Sequence, residues 1–188
     1  MKIFFDTEFT GLHKNTTLIS IGLVTESGET FYAELTDYDK TQVNDWIKEN
    51  VVDNLLYNHV GIGMHCDNIT NNIRIKGNTD WVRAYLKKWL EQFGEVEFIS
   101  DVCHYDMVLL IDLVYGDALK MPYGKINSSC HDINQDIADY FDLNEIQAFD
   151  FSREMFLKIH NIEIEGEKHN SLYDAKVIKA IYEEIKSI

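Results

Sequence analysis

The fold is decided by the stretch Ile3-Phe4-Phe5-Asp6-Thr7-Glu8-Phe9-Thr10-Gly11-Leu12. It begins with a run of apolar residues, and two acids follow that run directly. Continuous apolar residues such as Ile3 to Phe5 are typical of a strand buried on both faces. Asp6 and Glu8 are two residues apart, and a strand places side chains at that spacing on the same face. Acids that end a buried strand lose hydration unless they are paired or bind a cation. The stretch therefore predicts a buried strand that ends in a carboxylate site.

Two further strands follow along the chain. Leu18 to Val24 and Thr30 to Leu35 have the composition and length of strands, and Ser27-Gly28 between them has the composition of a turn. We expect these two strands to form an antiparallel meander with the first one.

The rest of the chain alternates helices with another strand. The predicted elements are a short helix from Asp45 to about Leu56, an irregular stretch from Gly61 to Gly77, a helix capped by Thr79 and ended by Gly94, a strand from Val96 to Ser100, a buried helix from His104 to Tyr115, one or two helices between about His131 and Ile159, and a last helix from Ser171 to near Ser187. This order indicates an α/β domain with a mixed sheet flanked by helices. With 188 residues, 45% of them apolar, we expect a single domain spanning residues 1–188.

Charge and cysteine content narrow the classes of function. The chain has 17 basic and 32 acidic residues, a formal net charge of −15, which disfavours binding of long duplex nucleic acid. Clustered carboxylates that bind two Mg²⁺ ions become attractive to an anion, so a short strand end stays compatible with this charge. The three scattered cysteines indicate a reducing compartment. The sequence has neither the pattern of a signal peptide nor an apolar run of membrane-spanning length, so we expect a cytoplasmic protein with no membrane partner.

Two other regions carry residues that can join Asp6 and Glu8. Asp106 follows an apolar strand and starts a helix, and His169 and Asp174 lie five residues apart across the start of the last helix. Hydrolysis of a phosphodiester by two divalent metals requires such carboxylates, and an imidazole can move the proton. These five residues are the candidate site.

Most of these candidates also have a purely structural explanation. An Asp-x-Glu pair at a strand end can be a solvated edge, and Asp106 can be an acid favoured by the dipole of its helix. Ser171 and Asp174 can form a capping box, which leaves His169 unexplained. Asp101, at the strand end, and Asp112, inside the helix, compete with Asp106 for a functional role, and we expect Asp106 to be the functional acid of the three.

Three segments carry the five candidates, and they are Phe5 to Leu12, Tyr105 to Leu110 and His169 to Ala175. In the order and identity of the key residues they resemble the three motifs of the DEDDh 3′ to 5′ exonucleases. Tyr173 is adjacent to Asp174 instead of four residues upstream, which does not fit the tyrosine-type variant. Leu18 to Val24 and Asp45 to Val51 are similar to segments of small bacterial exoribonucleases of the mycobacterial type within that superfamily.

The resemblance implies an RNase H-like fold with a mixed five-stranded sheet and helices on both faces. It also implies that two Mg²⁺ or Mn²⁺ ions are held by four acids, with His169 as the general base. The four acids are Asp6, Glu8, Asp106 and Asp174. Phe9, Thr10 and Leu12 look like the family's contacts to the terminal nucleoside, and core packing is the alternative for Phe9. The resemblance further suggests a homodimer.

The implied function is a metal-dependent 3′ to 5′ exoribonuclease that hydrolyses single-stranded RNA from its 3′ end to nucleoside 5′-monophosphates. Two alternatives stay open: a 3′ to 5′ exodeoxyribonuclease that acts on single-stranded DNA, and a catalytically silent member of the fold that binds nucleic acid or a protein. The chain departs from the family pattern at two places. Ser171 stands where relatives commonly have alanine, and the Asn that many relatives place shortly before the aspartate of the second motif is missing.

Overall fold

A mixed sheet with helices on both faces organises the chain. The computed structural model describes residues 1–67, 72–122, 124–126 and 129–187. In these ranges the strands are β1 (Lys2–Phe9), β2 (Leu18–Thr25), β3 (Thr30–Leu35), β4 (Gly63–Asp67), β5 (Asn72–Gly77), β6 (Glu97–Ser100) and the two-residue β7 (His131–Asp132). The helices are α1 (Asp45–Asn50), α2 (Thr79–Leu90), α3 (Cys103–Val114), α4 (Ile133–Phe141), α5 (Glu145–Phe149), α6 (Arg153–Ile159) and α7 (Ser171–Lys186).

The strand order is β4-β5-β3-β2-β1-β6-β7, which places β1 inside the sheet. β1, β2 and β3 pair antiparallel, so the predicted meander is confirmed. β6 pairs parallel with β1, with Phe4 opposite Ile99. Because parallel strands end at the same edge of a sheet, the residues that follow β6 come close to the acidic end of β1.

The sheet has an apolar core on each face. Phe5 packs with the residues of α2 and α3 on one face, whereas Phe4 packs with α4, α6 and α7 on the other. Successive side chains of a strand point to opposite faces, which explains why Ile3 to Phe5 are all apolar. The expected α/β fold with helices on both faces is confirmed. Among the ranges given above, no helix combines the length and the apolar character needed to cross a lipid bilayer.

The predicted number of five strands is too small, because the described residues form seven. The stretch from Gly61 to Gly77 was expected to be irregular, and that is wrong: β4 and β5 form an antiparallel pair there. β5 also pairs parallel with β3, with Phe31 opposite Ile73 and Leu35 opposite Gly77. The pairing of β5 with β3 joins distant parts of the chain, so local composition did not predict it.

Three helical expectations also need correction. The first helix ends at Asn50 and a separate 3₁₀ turn covers Val52–Asn54, so no continuous helix reaches Leu56. α2 is capped by Asn78 and not by Thr79, since the Asn78 side chain accepts a hydrogen bond from the backbone N–H of Trp81. Three helices, not one or two, lie between His131 and Ile159.

The N-terminus of α7 lies directly on β2, at a position where the strand has a glycine. A Cβ atom added at Gly22 would lie 2.4 Å from the carbonyl carbon and oxygen of Ser171 and 2.3 Å from the backbone nitrogen of Leu172. Ser171 is fully buried, and its hydroxyl lies 3.0 Å from that of Ser20. Ser171 therefore packs α7 against the sheet.

Asn170, and not Ser171, caps α7, because its side chain accepts hydrogen bonds from the backbone N–H groups of Leu172 and Tyr173. Ser171 and Asp174 therefore do not form the capping box that was the structural alternative for Asp174, and Asp174 is available for another role.

We predict that Gly22→Ala destabilises the fold by about 1–3 kcal/mol, because α7 and β2 must move apart to admit the methyl group. Urea unfolding followed by circular dichroism measures this loss. Gly94→Ala is the matched control, since a Cβ atom at Gly94 meets nothing within 4 Å. Equal unfolding midpoints for the two variants would contradict the proposed close approach.

Candidate active site

The acidic end of β1 opens into a cleft of about 710 Å³, which four of the five predicted site residues line: Asp6, Glu8, His169 and Asp174. Ligand atoms of Glu8, His169 and Asp174 all lie within 4.8 Å of one another. A second group within the same distance consists of Asp6, Asp101 and Asp106. All five candidates are thus brought together, and Asp101 joins them.

Asp6 has the environment of a cation ligand. The residue is 8% exposed, and Oδ2 is buried with no hydrogen-bond partner in the described part of the chain. A buried, unpaired carboxylate oxygen is costly unless a cation or a proton neutralises it. Carboxylate oxygens are also the ligands that Mg²⁺ prefers, so these residues fit a divalent ion of that kind.

Asp106 is turned inward from the first turn of α3 and is 1% exposed. The Thr7 hydroxyl donates a hydrogen bond to its Oδ1 at 2.5 Å, and the Ser100 hydroxyl donates one to its Oδ2. A helix dipole alone does not account for such burial of an acid. Thr7 and Ser100 were missed in the sequence, although both adjoin acids at the ends of strands.

His169 and Asp174 are held together at the start of α7. The backbone N–H of His169 donates a hydrogen bond to Asp174 Oδ2 at 2.8 Å. His169 has a φ of 64°, a left-handed conformation that non-glycine residues seldom adopt. Its ring lies 5.2 Å from the indole of Trp46 in an edge-on arrangement. The imidazole is thus placed at the wall of the cleft, next to Glu8 and Asp174.

Burial and mutual repulsion raise the pKa values of the clustered acids. Burial is the largest cause of the raised pKa of both Asp6 and Glu8, and neighbouring carboxylates add to it. The pKa values of Asp106 and Asp174 are each raised to about 7, again chiefly by burial. Burial and Lys168 lower the pKa of His169, which favours the neutral imidazole that a general base needs.

Asp101 belongs to the cluster although the sequence interpretation set it aside in favour of Asp106. Burial raises its pKa, while the adjacent Arg153 opposes that rise. Asp101 directly follows β6, and the parallel pairing of β6 with β1 brings it beside the acids of β1. That pairing is a tertiary feature and is not visible in the motif spacing.

The predicted nucleoside contacts lie in different environments. Phe9 lines the cleft and also stacks on Tyr105, with ring centroids 5.4 Å apart. Leu12 lines the cleft and is 72% exposed. Thr10 is 2% exposed, and its hydroxyl donates to Gln42 Oε1 at 2.5 Å. The Thr10 side chain therefore lies inside the loop after β1 and does not face the cleft.

We predict that Thr7→Val weakens Mn²⁺ binding by about 10–100-fold, the usual effect of removing a partner that orients a metal ligand. The reason is that Asp106 loses its hydrogen bond from Thr7. Titration calorimetry with Mn²⁺ measures the change. Thr7→Ser keeps the hydroxyl and is the control; identical affinities for the two variants would contradict this role.

A second prediction concerns pH. In excess EDTA the free energy of unfolding should fall between about pH 4 and pH 7, because the unfolded state releases the acid protons near pH 4 while Asp106 and Asp174 keep theirs up to about pH 7. Thermal melts at several pH values measure this, and Mn²⁺ supplied in place of EDTA should restore Tm at pH 7.5. Asp106→Asn should flatten the decline; a profile identical to that of the wild type would refute the explanation.

Comparison with known proteins agrees with this geometry. Residues 1–186 match the family model described as the 3′-5′ exoribonuclease Rv2179c-like domain. Two curated relatives from Mycobacterium tuberculosis, 3′-5′ exoribonuclease Rv2179c and 3′-5′ exoribonuclease MT2234.1, are each 38% identical over 55 residues. The matched segment spans 29% of this chain and 33% of each relative, so the chain matches about a third of the length of these proteins.

Solved structures show the same fold at low identity. A full-length 3′-exonuclease is 15% identical with a TM-score of 0.62, covering 99% of this chain and 81% of that one. Pop2p of S. pombe, in a form with bound Mg²⁺ and Mn²⁺, is 16% identical with a TM-score of 0.62, covering 99% and 82%. These neighbours and the strand order agree with the expected RNase H-like fold. Since the family model covers residues 1–186, the chain belongs to the family of Rv2179c-like 3′-5′ exoribonuclease domains.

Proposed function

We propose that this protein is a metal-dependent 3′ to 5′ exoribonuclease that shortens single-stranded RNA from its 3′ end and releases nucleoside 5′-monophosphates. The observation that carries the proposal is the convergence of four acids and one histidine. Asp6, Glu8, His169 and Asp174 line one cleft, and Asp106 has a ligand atom within 4.8 Å of one of Asp6. The family membership and the activity named for the mycobacterial relatives support it.

The acids are proposed to hold two Mg²⁺ or Mn²⁺ ions. Asp6, Glu8, Asp106 and Asp174 are the proposed ligands, and the unpaired, buried Oδ2 of Asp6 supports this assignment. When bound, such ions activate water and stabilise charge on the attacking and leaving oxygens of the phosphodiester. The bound form of Pop2p is a precedent for both metals in this fold.

His169 is proposed as the general base. Its lowered pKa leaves the ring neutral near pH 7, ready to accept a proton from the attacking water. Asp174 fixes the backbone of His169 through the hydrogen bond to its N–H, and Trp46 lies against one edge of the ring. These contacts limit where the imidazole can lie.

The loop after β1 is proposed to receive the terminal nucleoside. Leu12 is exposed in the cleft and Phe9 lines it, so both can contact a base without reading its identity. Thr10 is proposed to act indirectly, by shaping the loop that presents Leu12, since its hydroxyl also accepts a hydrogen bond from the backbone N–H of Thr17.

Other expectations accompany this proposal. Residues 1–188 are proposed to act as a single domain, in the cytoplasm, and a homodimer is the suggested assembly. The alternative enzymatic activity is hydrolysis of single-stranded DNA. Contacts to the 2′-hydroxyl are what distinguish RNA from DNA as a substrate. A silent binding member of the fold is disfavoured, since binding alone does not require several acids with mutually raised pKa values.

We predict that the wild type shortens end-labelled RNA in Mg²⁺ or Mn²⁺ and not in EDTA. His169→Ala should lower kcat by about 10²–10⁴-fold, the usual contribution of a general base. Asp174→Asn should also nearly abolish turnover. Asp139→Asn is the control, because Asp139 is exposed on α4 outside the cleft.

Matched RNA and DNA oligomers, with product analysis by chromatography, decide between the candidates. Faster loss of DNA would favour the exodeoxyribonuclease. Intact RNA and DNA in every metal, with no difference in EDTA, would refute both enzyme proposals. Internal cuts in place of mononucleotides would refute the exonuclease assignment.

A further inference from the structure

Asp101 is a fifth carboxylate at a centre for which the proposed mechanism uses four. A ligand atom of Asp101 lies within 4.8 Å of ligand atoms of both Asp6 and Asp106. The residue lines the cleft, and its side chain is 22% exposed. Its position therefore matches that of the proposed metal ligands rather than that of a solvated surface acid.

Two residues from separate helices hold Asp101 in place. The Asn134 side chain, in the first turn of α4, donates a hydrogen bond from Nδ2 to the backbone carbonyl of Asp101 at 2.6 Å. Arg153, the first residue of α6, places Nε 3.6 Å from Asp101 Oδ2 and donates from Nη2 to Asn134 Oδ1. Asn134 thus links the acid to its cation, and both the backbone and the side chain of Asp101 have a fixed neighbour.

Hydrogen bonds also hold the Arg153 side chain in one position. Its Nη1 donates to the carbonyl oxygens of Ala148 at 3.1 Å and Phe151 at 2.9 Å, around the end of α5. The side chain is 14% exposed, and Nε makes no hydrogen bond in the described part of the chain. A guanidinium fixed at this many points cannot swing away from Asp101, so its positive charge stays beside that acid.

The net charge of the metal-loaded acids indicates an electrostatic role for the pair of Asp101 and Arg153. Four carboxylates and two divalent cations are neutral together, so a fifth carboxylate would leave an excess negative charge where an RNA phosphate has to approach. Arg153 supplies the compensating positive charge next to Asp101 and lines the same cleft. A buried acid without such a partner would also be costly for the fold.

We propose that Asp101 is a fifth carboxylate of the metal centre, supporting the ion assigned to Asp6 and Asp106, and that Arg153 is the fixed countercharge that keeps the loaded centre open to an RNA phosphate. This inference rests on the proposed function. It assigns Asp101 a role toward the metal and Arg153 a positioning and electrostatic role.

The test measures Mn²⁺ affinity by calorimetry, and kcat and KM on a short RNA, for Asp101→Asn, Arg153→Gln and the double variant. Asp101→Asn should weaken Mn²⁺ binding at one site by about 10–100-fold. Arg153→Gln should leave Mn²⁺ affinity equal or higher and raise KM for RNA on the order of tenfold, through the uncompensated charge. The double variant should bind Mn²⁺ weakly and regain a KM close to that of the wild type.

Matched controls come from a second Asp–Arg pair outside the cleft. Asp80 and Arg83 form an ion pair with a 2.6 Å separation on α2. Asp80→Asn and Arg83→Gln should leave Mn²⁺ affinity and KM unchanged, which separates loss of an ion pair in general from loss of this one. If Arg153→Gln fails to fold, Arg153→Lys keeps the charge and should keep KM within a few-fold of the wild type, whereas a tenfold rise would overturn the countercharge role.

The outcomes are distinguishable. Unchanged Mn²⁺ affinity in Asp101→Asn would overturn the metal role of Asp101 while leaving the exoribonuclease proposal intact. A double variant with the same raised KM as Arg153→Gln would overturn the countercharge role. Wild-type protein that neither binds Mn²⁺ saturably nor shortens RNA would instead refute the proposed function on which the inference rests.

Discussion

Several carboxylates are packed together at the end of the buried strand β1, and much of the structure serves to hold them there. Burial is the largest cause of the raised pKa of each clustered acid, and the charges of the neighbouring acids add to it. Since the buried Oδ2 of Asp6 has no partner among the described residues, the cluster is a source of instability that a divalent cation can relieve. Metal binding and fold stability should therefore be coupled in this protein.

Rigid elements on both sides of the sheet hold this repulsive arrangement together. Gly22 lets α7 approach β2 closely, which brings Asp174 to the cleft, and Ser171 fills the contact. Thr7 on β1 and Ser100 on the neighbouring β6 donate hydrogen bonds to Asp106. Apolar cores on both faces of the sheet supply the stability that offsets the clustered charge.

Prediction of the fold succeeded where the pattern was local. The apolar run of β1, the meander of β1 to β3 and the helical spacing of α2, α3 and α7 were all visible in the sequence. It failed for β4 and β5, since β5 is made a strand by pairing with β3. It also failed at the caps of α2 and α7, where Asn78 and Asn170 were overlooked in favour of the next residue.

The sequence by itself determined the α/β class and the identity and order of Asp6, Glu8, Asp106, His169 and Asp174, because strand and helix periodicity and motif spacing are properties of short segments. Only the tertiary structure decided that Asp101 joins these acids, that Arg153 lies beside it, and that the Thr10 side chain is directed away from the cleft. Those relations depend on which strand ends and helix starts pack against one another. Such contacts join distant parts of the chain, and no spacing within a single segment encodes them.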